Sequence, residues 1–147
     1  MNKEFIPYEQ ALALKELGFD EKCFYAYCEK GGWNPYKKVK EPITYILRTS
    51  GNPFGGFDSG RNWNKEYERN KNRIQCSAPL YQQAFRWFRE KGWCSVLLPD
   101  EETNKWRFTF FPIGKQGTFS GKYDKTYEEA QLECLKQLIK IVKDAGK

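Results

Sequence analysis

The chain has 147 residues, with 25 Lys plus Arg against 19 Asp plus Glu, a formal charge of +6, five Cys and no His. That length suits one domain with a real core, and an aromatic content of 17% supplies apolar area that disordered chains lack. The missing His excludes His-based acid–base catalysis, the Ser and Cys triads that depend on it, and every His-containing metal site.

The first helix is expected over Ile6 to Leu17, with Pro7 in its opening turn and Gly18 at its end. Cys23 to Cys28 reads as a short aromatic strand, closed by the breakers Gly31-Gly32 and Asn34-Pro35. Ile43 to Arg48, rich in β-branched residues, reads as a second strand. From Thr49 to Gln75 periodicity disappears. Four glycines between Gly51 and Gly60 precede the charged run Asn64 to Arg73, which predicts a long loop or a partly helical excursion.

A second helix is expected from about Ser77 to Lys91, its apolar stripe formed by Leu80, Tyr81, Ala84, Phe85 and Phe88. Three strands follow, at Trp93 to Leu98, Trp106 to Pro112 and Gly117 to Lys122. The last helix opens on Thr126 and Glu129, a capping-box pattern, and its apolar positions from Tyr127 to Val142 trace one face. The order α-β-β, long basic loop, α-β-β-β-α predicts a single α+β domain over 1–147, with small antiparallel sheets covered by helices. Tyr8 to Phe19 and Tyr81 to Trp93 share a helix–Gly–aromatic–strand pattern, so a weak internal duplication and a chance likeness of two amphipathic helices are both open.

The segments that could carry chemistry are few. Cys23, Cys28, Cys76, Cys94 and Cys134 are odd in number and scattered, without a C-x-x-C pair, so a reduced protein of the cytoplasm is expected, with no metal and no cofactor. No stretch approaches the roughly 20 apolar residues of a membrane span. Met1 to Asp20 carries acids and no long apolar run, unlike a signal peptide. Gly51 to Gly60 lacks the Gly-Lys-Ser/Thr ending of a phosphate loop. Asp58, Glu66 and Glu68 beside Lys65 and Lys71 could serve a metal-dependent nuclease, but they share one charged run with no framework to fix their separation.

The charge map is more informative. Residues 31–75 hold nine basic and four acidic side chains, a net of +5 out of the total of +6. This basic, aromatic and largely irregular insert interleaves Trp33, Tyr36, Trp63 and other rings with Lys37, Lys38, Lys40, Arg48, Arg61, Lys65, Arg69, Lys71 and Arg73. Cations neutralise phosphates and rings stack on unpaired bases, so the set suits RNA or single-stranded DNA. It suits a protein surface equally, because Arg, Trp and Tyr anchor interfaces. A third possibility is that the rings pack beneath a loop whose lysines are merely solvated.

The closing α-β-β-β-α order resembles the double-stranded-RNA-binding domain, which carries a Lys cluster at the start of its last helix. Here that stretch is Lys125-Thr126-Tyr127-Glu128-Glu129-Ala130, where acids would repel phosphate. Three strands followed by a capped helix also resemble the plant-type and integrase-type DNA readers, through a generic feature.

A wider resemblance covers about half the chain. Ile6 to Glu21 (IPYEQALALKELGFDE), Ala78 to Lys91 (APLYQQAFRWFREK), and Tyr127 to Ala130 with Leu132, Cys134, Leu135 and Leu138 to Val142 together resemble a group of small uncharacterised proteins of bacteriophages and mobile elements of gut-type bacteria. The resemblance implies a phage or prophage accessory protein in the bacterial cytoplasm, and carries no chemistry with it. The leading expectation is a non-enzymatic protein that binds a host defence or nucleic-acid-handling complex, in the manner of an anti-CRISPR protein. A direct RNA- or single-stranded-nucleic-acid-binding module is the alternative, and a metal-dependent nuclease a distant third.

Overall fold

A computed structural model describes residues 3–49, 62–66, 74–123 and 125–146, and shows an α+β fold with two separate three-stranded antiparallel sheets. The chain divides into two units, Pro7–Pro79 and Met1–Ile6 with Leu80–Lys147.

The first unit contains α1 (Tyr8–Glu16), β1 (Tyr25–Asn34), β2 (Val39–Thr49), the single turn α2 (Trp63–Glu66) and β3 (Ile74–Ala78). Its sheet order is β2-β1-β3. Helix α1 is shorter than its sequence pattern suggests, because Pro7 is extended (ψ 155) and acts as the N-cap. Ala11 and Leu14 are buried, and Lys15 Nζ donates to the Gln75 carbonyl at 2.8 Å. Ser77 and Ala78, expected at the start of a helix, lie instead in β3 opposite Ala26 and Tyr25. Cys76, Ser77 and Ala78 are at most 1% exposed, and burial within a sheet overrides their weak local preference. Pro79 then ends the strand before the helix that follows.

Gly31 and Gly32 do not break β1. They adopt φ of 111° and 87°, and the register with β2 shifts between Lys30 and Gly32, which marks a β-bulge. Only residues without a Cβ hold these backbone angles readily, so the glycines bend the strand and let it continue. Cys23–Cys28 and Ile43–Arg48, read from sequence as two short strands, therefore belong to one long hairpin.

The second unit contains α3 (Tyr81–Glu90), β4 (Trp93–Pro99), β5 (Trp106–Pro112), β6 (Phe119–Ser120) and α4 (Tyr127–Ala145), with sheet order β4-β5-β6. The N-terminal segment joins it: Phe5 bridges Leu80, and Tyr81 N–H donates to the Glu4 carbonyl at 3.1 Å. Trp106, Phe108 and Phe110 share one sheet face, and the Phe108 and Phe110 rings stack at 6.1 Å. Both are buried, as are Ala130, Cys134, Leu135 and Leu138 of α4. The capping box forms as its spacing predicts, with Glu129 N–H donating to Thr126 Oγ1 at 3.3 Å and Thr126 N–H to Glu129 Oε2 at 2.9 Å. The third strand is shorter than expected. Gly121, just beyond it, still donates its N–H to the Phe108 carbonyl at 2.9 Å and lies against the Phe108 ring, where a Cβ would stand 2.5 Å from the nearest ring atom.

Candidate functional site

The hairpin is the feature that the first unit presents outward. Strand β3 pairs only with Tyr25 to Cys28 of β1. Among the described residues, the rest of the hairpin, from Glu29 and Tyr45 to the tip, is a two-stranded ribbon. At about 3.3 Å per residue, Glu29 to Asn34 carries it roughly 20 Å beyond the third strand.

The last pair is Asn34 with Val39, which leaves Pro35 to Lys38 as a four-residue loop. Lys38 sits at φ 53°, a left-handed position that an L-residue occupies at some cost. Tyr36 is 96% exposed, and Lys37, Lys38 and Lys40 are exposed around it.

On β2, Val39, Ile43 and Tyr45 are exposed, although all three are apolar or aromatic. The Tyr45 ring stacks on Tyr8 at 3.7 Å and 9°, and Tyr27 meets Tyr8 edge-on at 5.5 Å. Burial, with a further contribution from the hydrogen bond to Tyr45, pushes the Tyr8 phenol up to about 12, so the Tyr8 ring stays neutral. Lys30 of β1 pairs with Thr44 of β2, whose Oγ1 donates to the Lys30 carbonyl at 3.3 Å, and the extra residue that β2 carries at the bulge puts Lys40 out of step with Thr44. The ribbon thus has a cationic tip and a shaft with exposed apolar and aromatic side chains beside Lys30 and Lys40.

The other sequence-predicted residues fall elsewhere. Trp33 and Arg48 are placed by their backbones alone, opposite Lys40 near the tip and Ala26 near the base. Arg61, Arg69, Lys71 and Arg73 lie outside the described residues, as do Asp58 and Glu68.

Trp63, expected to be exposed, is a correction: it is 5% exposed and its indole N–H donates to the Cys23 carbonyl at 2.8 Å. Its neighbours act with it. Asn64 Nδ2 donates to the Phe19 carbonyl at 2.8 Å, and Asn64 Oδ1 accepts from Ser77 N–H at 2.9 Å. Asn62 Nδ2 donates to the Asp20 carbonyl, and Lys65 pairs with the Asp20 carboxylate at 2.8 Å. Residues 62–65 therefore strap the 19–23 segment to β3, and Lys65 meets an acid within its own unit. Asn on both sides of Trp was the available signal, since short amides bond nearby backbone wherever regular structure is absent.

Three of the five thiols are held away from the activated state. Burial pushes Cys23, Cys76 and Cys134 up to about 12, far from the thiolate state that nucleophiles and metal ligands need. Among the described residues no three His, Cys, Asp or Glu side chains gather in a way that could hold a metal. No described helix is long and apolar enough to cross a membrane.

In the second unit, the start of α4 is anionic. Lys3 lies 2.9 Å from Glu128 and holds its carboxyl below the usual range, while hydrogen bonds from Thr126 do the same for Glu129. Such a terminus is stabilised by its own acids and does not welcome phosphate. The α-β-β-β-α order is present without the charge that a duplex-RNA reader needs at this helix. No family model, curated protein or solved structure matches the chain.

Proposed function

We propose that this is a binding protein that contacts nucleic acid through its β1–β2 ribbon. The observation that supports this reading is the ribbon's tip, where Lys37, Lys38 and Lys40 are exposed together with Tyr36. A two-stranded ribbon fits a nucleic-acid groove, lysines neutralise the flanking phosphates, and an exposed ring stacks on an unpaired base. Exposed Lys30 adds positive charge farther along the shaft.

The finer role rests on the sequence motifs: a phage accessory protein, without enzymatic activity, that inhibits a host defence or nucleic-acid-handling complex. A cationic ribbon complements the RNA or DNA held in such a complex better than it complements the basic protein channel that holds it. A purely protein-directed ribbon is the second reading, favoured by the exposed apolar and aromatic side chains Val39, Ile43 and Tyr45.

The two are separated by electrophoretic mobility shifts of single-stranded and duplex RNA and DNA across a salt series. The triple substitution of Lys37, Lys38 and Lys40 by Ser should weaken binding and lower the salt slope by about 2 to 3, since each neutralised phosphate contributes about 0.7 to 0.9. Absence of any shift at low salt, or an unchanged slope in the triple variant, refutes nucleic-acid contact by the ribbon. Affinity purification from phage-infected cells tests the finer role, and recovery of no host complex refutes it.

A further inference from the structure

The second unit has an open sheet edge beside a groove. Strand β4 is the outermost strand of its sheet, and no described strand pairs with its far side. The direction of its peptide groups follows from the register. Ile113 N–H donates to the Gly92 carbonyl and Asp100 N–H to the Lys105 carbonyl, each at 2.7 Å. With Trp93 opposite Pro112 and Pro99 opposite Trp106, these are hydrogen-bonded pairs at the two ends of the ladder. Residues 94, 96 and 98 therefore bond to β5, and Ser95 and Leu97 turn their N–H and C=O groups to the open edge.

A groove of about 510 Å³ runs along the same stretch. Gln82, Phe85 and Arg89 line it from α3, Ser95 and Leu97 from β4, and Gln131 from α4. Among the described residues that line it, Arg89 is the charged one. Gln82, Phe85 and Arg89 lie at positions i, i+3 and i+7 of α3, a single row of amide, ring and cation.

We propose that this edge takes an extended acidic–apolar segment of a partner protein as a fourth strand. Main-chain hydrogen bonds to Ser95 and Leu97 would hold the segment, alternate side chains would enter the groove, and a carboxylate would meet Arg89 in a bidentate pair beyond an apolar residue on Phe85. A second copy of this chain is a poorer occupant, because Trp93–Pro99 contains no acid to offer Arg89. Pro99, with no N–H, limits how far any added strand can run.

The test is selection of a random twelve-residue peptide library on the full-length protein. Selected peptides should carry Asp or Glu among β-branched or aromatic residues, and should bind Arg89→Gln and Arg89→Glu at least tenfold more weakly. The bound peptide should slow amide exchange at Ser95 and Leu97 and leave Val96 unchanged, a pattern that charge attraction alone does not produce. The ribbon variant lacking Lys37, Lys38 and Lys40 should bind the same peptides normally, so failure here is distinct from failure of the nucleic-acid reading. Enrichment of no peptides, acid-free peptides, indifference to both Arg89 variants, or protection spread evenly over β4 each overturns the proposal. Concentration-dependent protection of Ser95 and Leu97 without peptide assigns the edge to self-association and overturns it too.

Discussion

Asn64→Ala tests whether residues 62–65 are structural or belong to a ligand surface. The side chain is 7% exposed and links two buried backbone groups, the Phe19 carbonyl and the Ser77 N–H, in residues 1% and 0% exposed. Truncation removes the Asn64 bond from each. Removing one partner of a buried hydrogen bond costs about 1 to 3 kcal/mol, so a loss of about 3 kcal/mol is expected for the pair. Asn62→Ala provides the contrast, because its bond to the Asp20 carbonyl is exposed and water replaces it, at a cost below about 0.5 kcal/mol. Urea unfolding followed by Trp fluorescence gives the midpoints. With a slope of roughly 2 kcal/mol per molar urea, Asn64→Ala should shift the midpoint down by about 1.5 M. Hydrogen exchange over Ile74–Ala78 should accelerate in the same variant, since Ser77 loses its acceptor. A midpoint within about 0.2 M of the unsubstituted protein, or equal damage from Asn62→Ala, refutes the strap.

Gly121→Ala should destabilise the second unit by about 1 to 3 kcal/mol, because the new methyl would lie 2.5 Å from the buried Phe108 ring; a melting temperature unchanged within 1 °C would contradict that packing. Alkaline pH should also weaken the fold. Buried Cys23, Cys76 and Cys134 sit at about 12 against an ordinary 9.0, so above pH 9 the unfolded chain releases protons that the folded chain retains. Stability then falls as pH rises from 9 toward 12, by ~1.4 kcal/mol per pH unit for each thiol, and a urea midpoint constant between pH 8 and 10.5 excludes it.

Local signals carried much of this fold. The Thr126–Glu129 spacing announced the cap of α4, and the alternation of Trp106, Phe108 and Phe110 announced β5 and its covered face, because both patterns depend on neighbours within four residues. The same local logic failed at Gly31-Gly32, where a strand bulge and a chain break look alike until the partner strand is known. It failed at Ser77 and Ala78, whose strand state depends on β1, some fifty residues earlier.

Of the candidate site, the sequence by itself determined the charge: the +5 concentrated in residues 31–75 and the rings interleaved with it. Only the tertiary structure sorted those residues into roles. Pairing of β1 with β2 carries Tyr36, Lys37, Lys38 and Lys40 outward on a ribbon, while Trp63 turns inward because its indole finds a carbonyl on Cys23. Charge and hydropathy are properties of each side chain, legible one residue at a time. Exposure is a property of the surroundings, decided by contacts between residues that are distant in sequence, as Trp63 and Cys23 are.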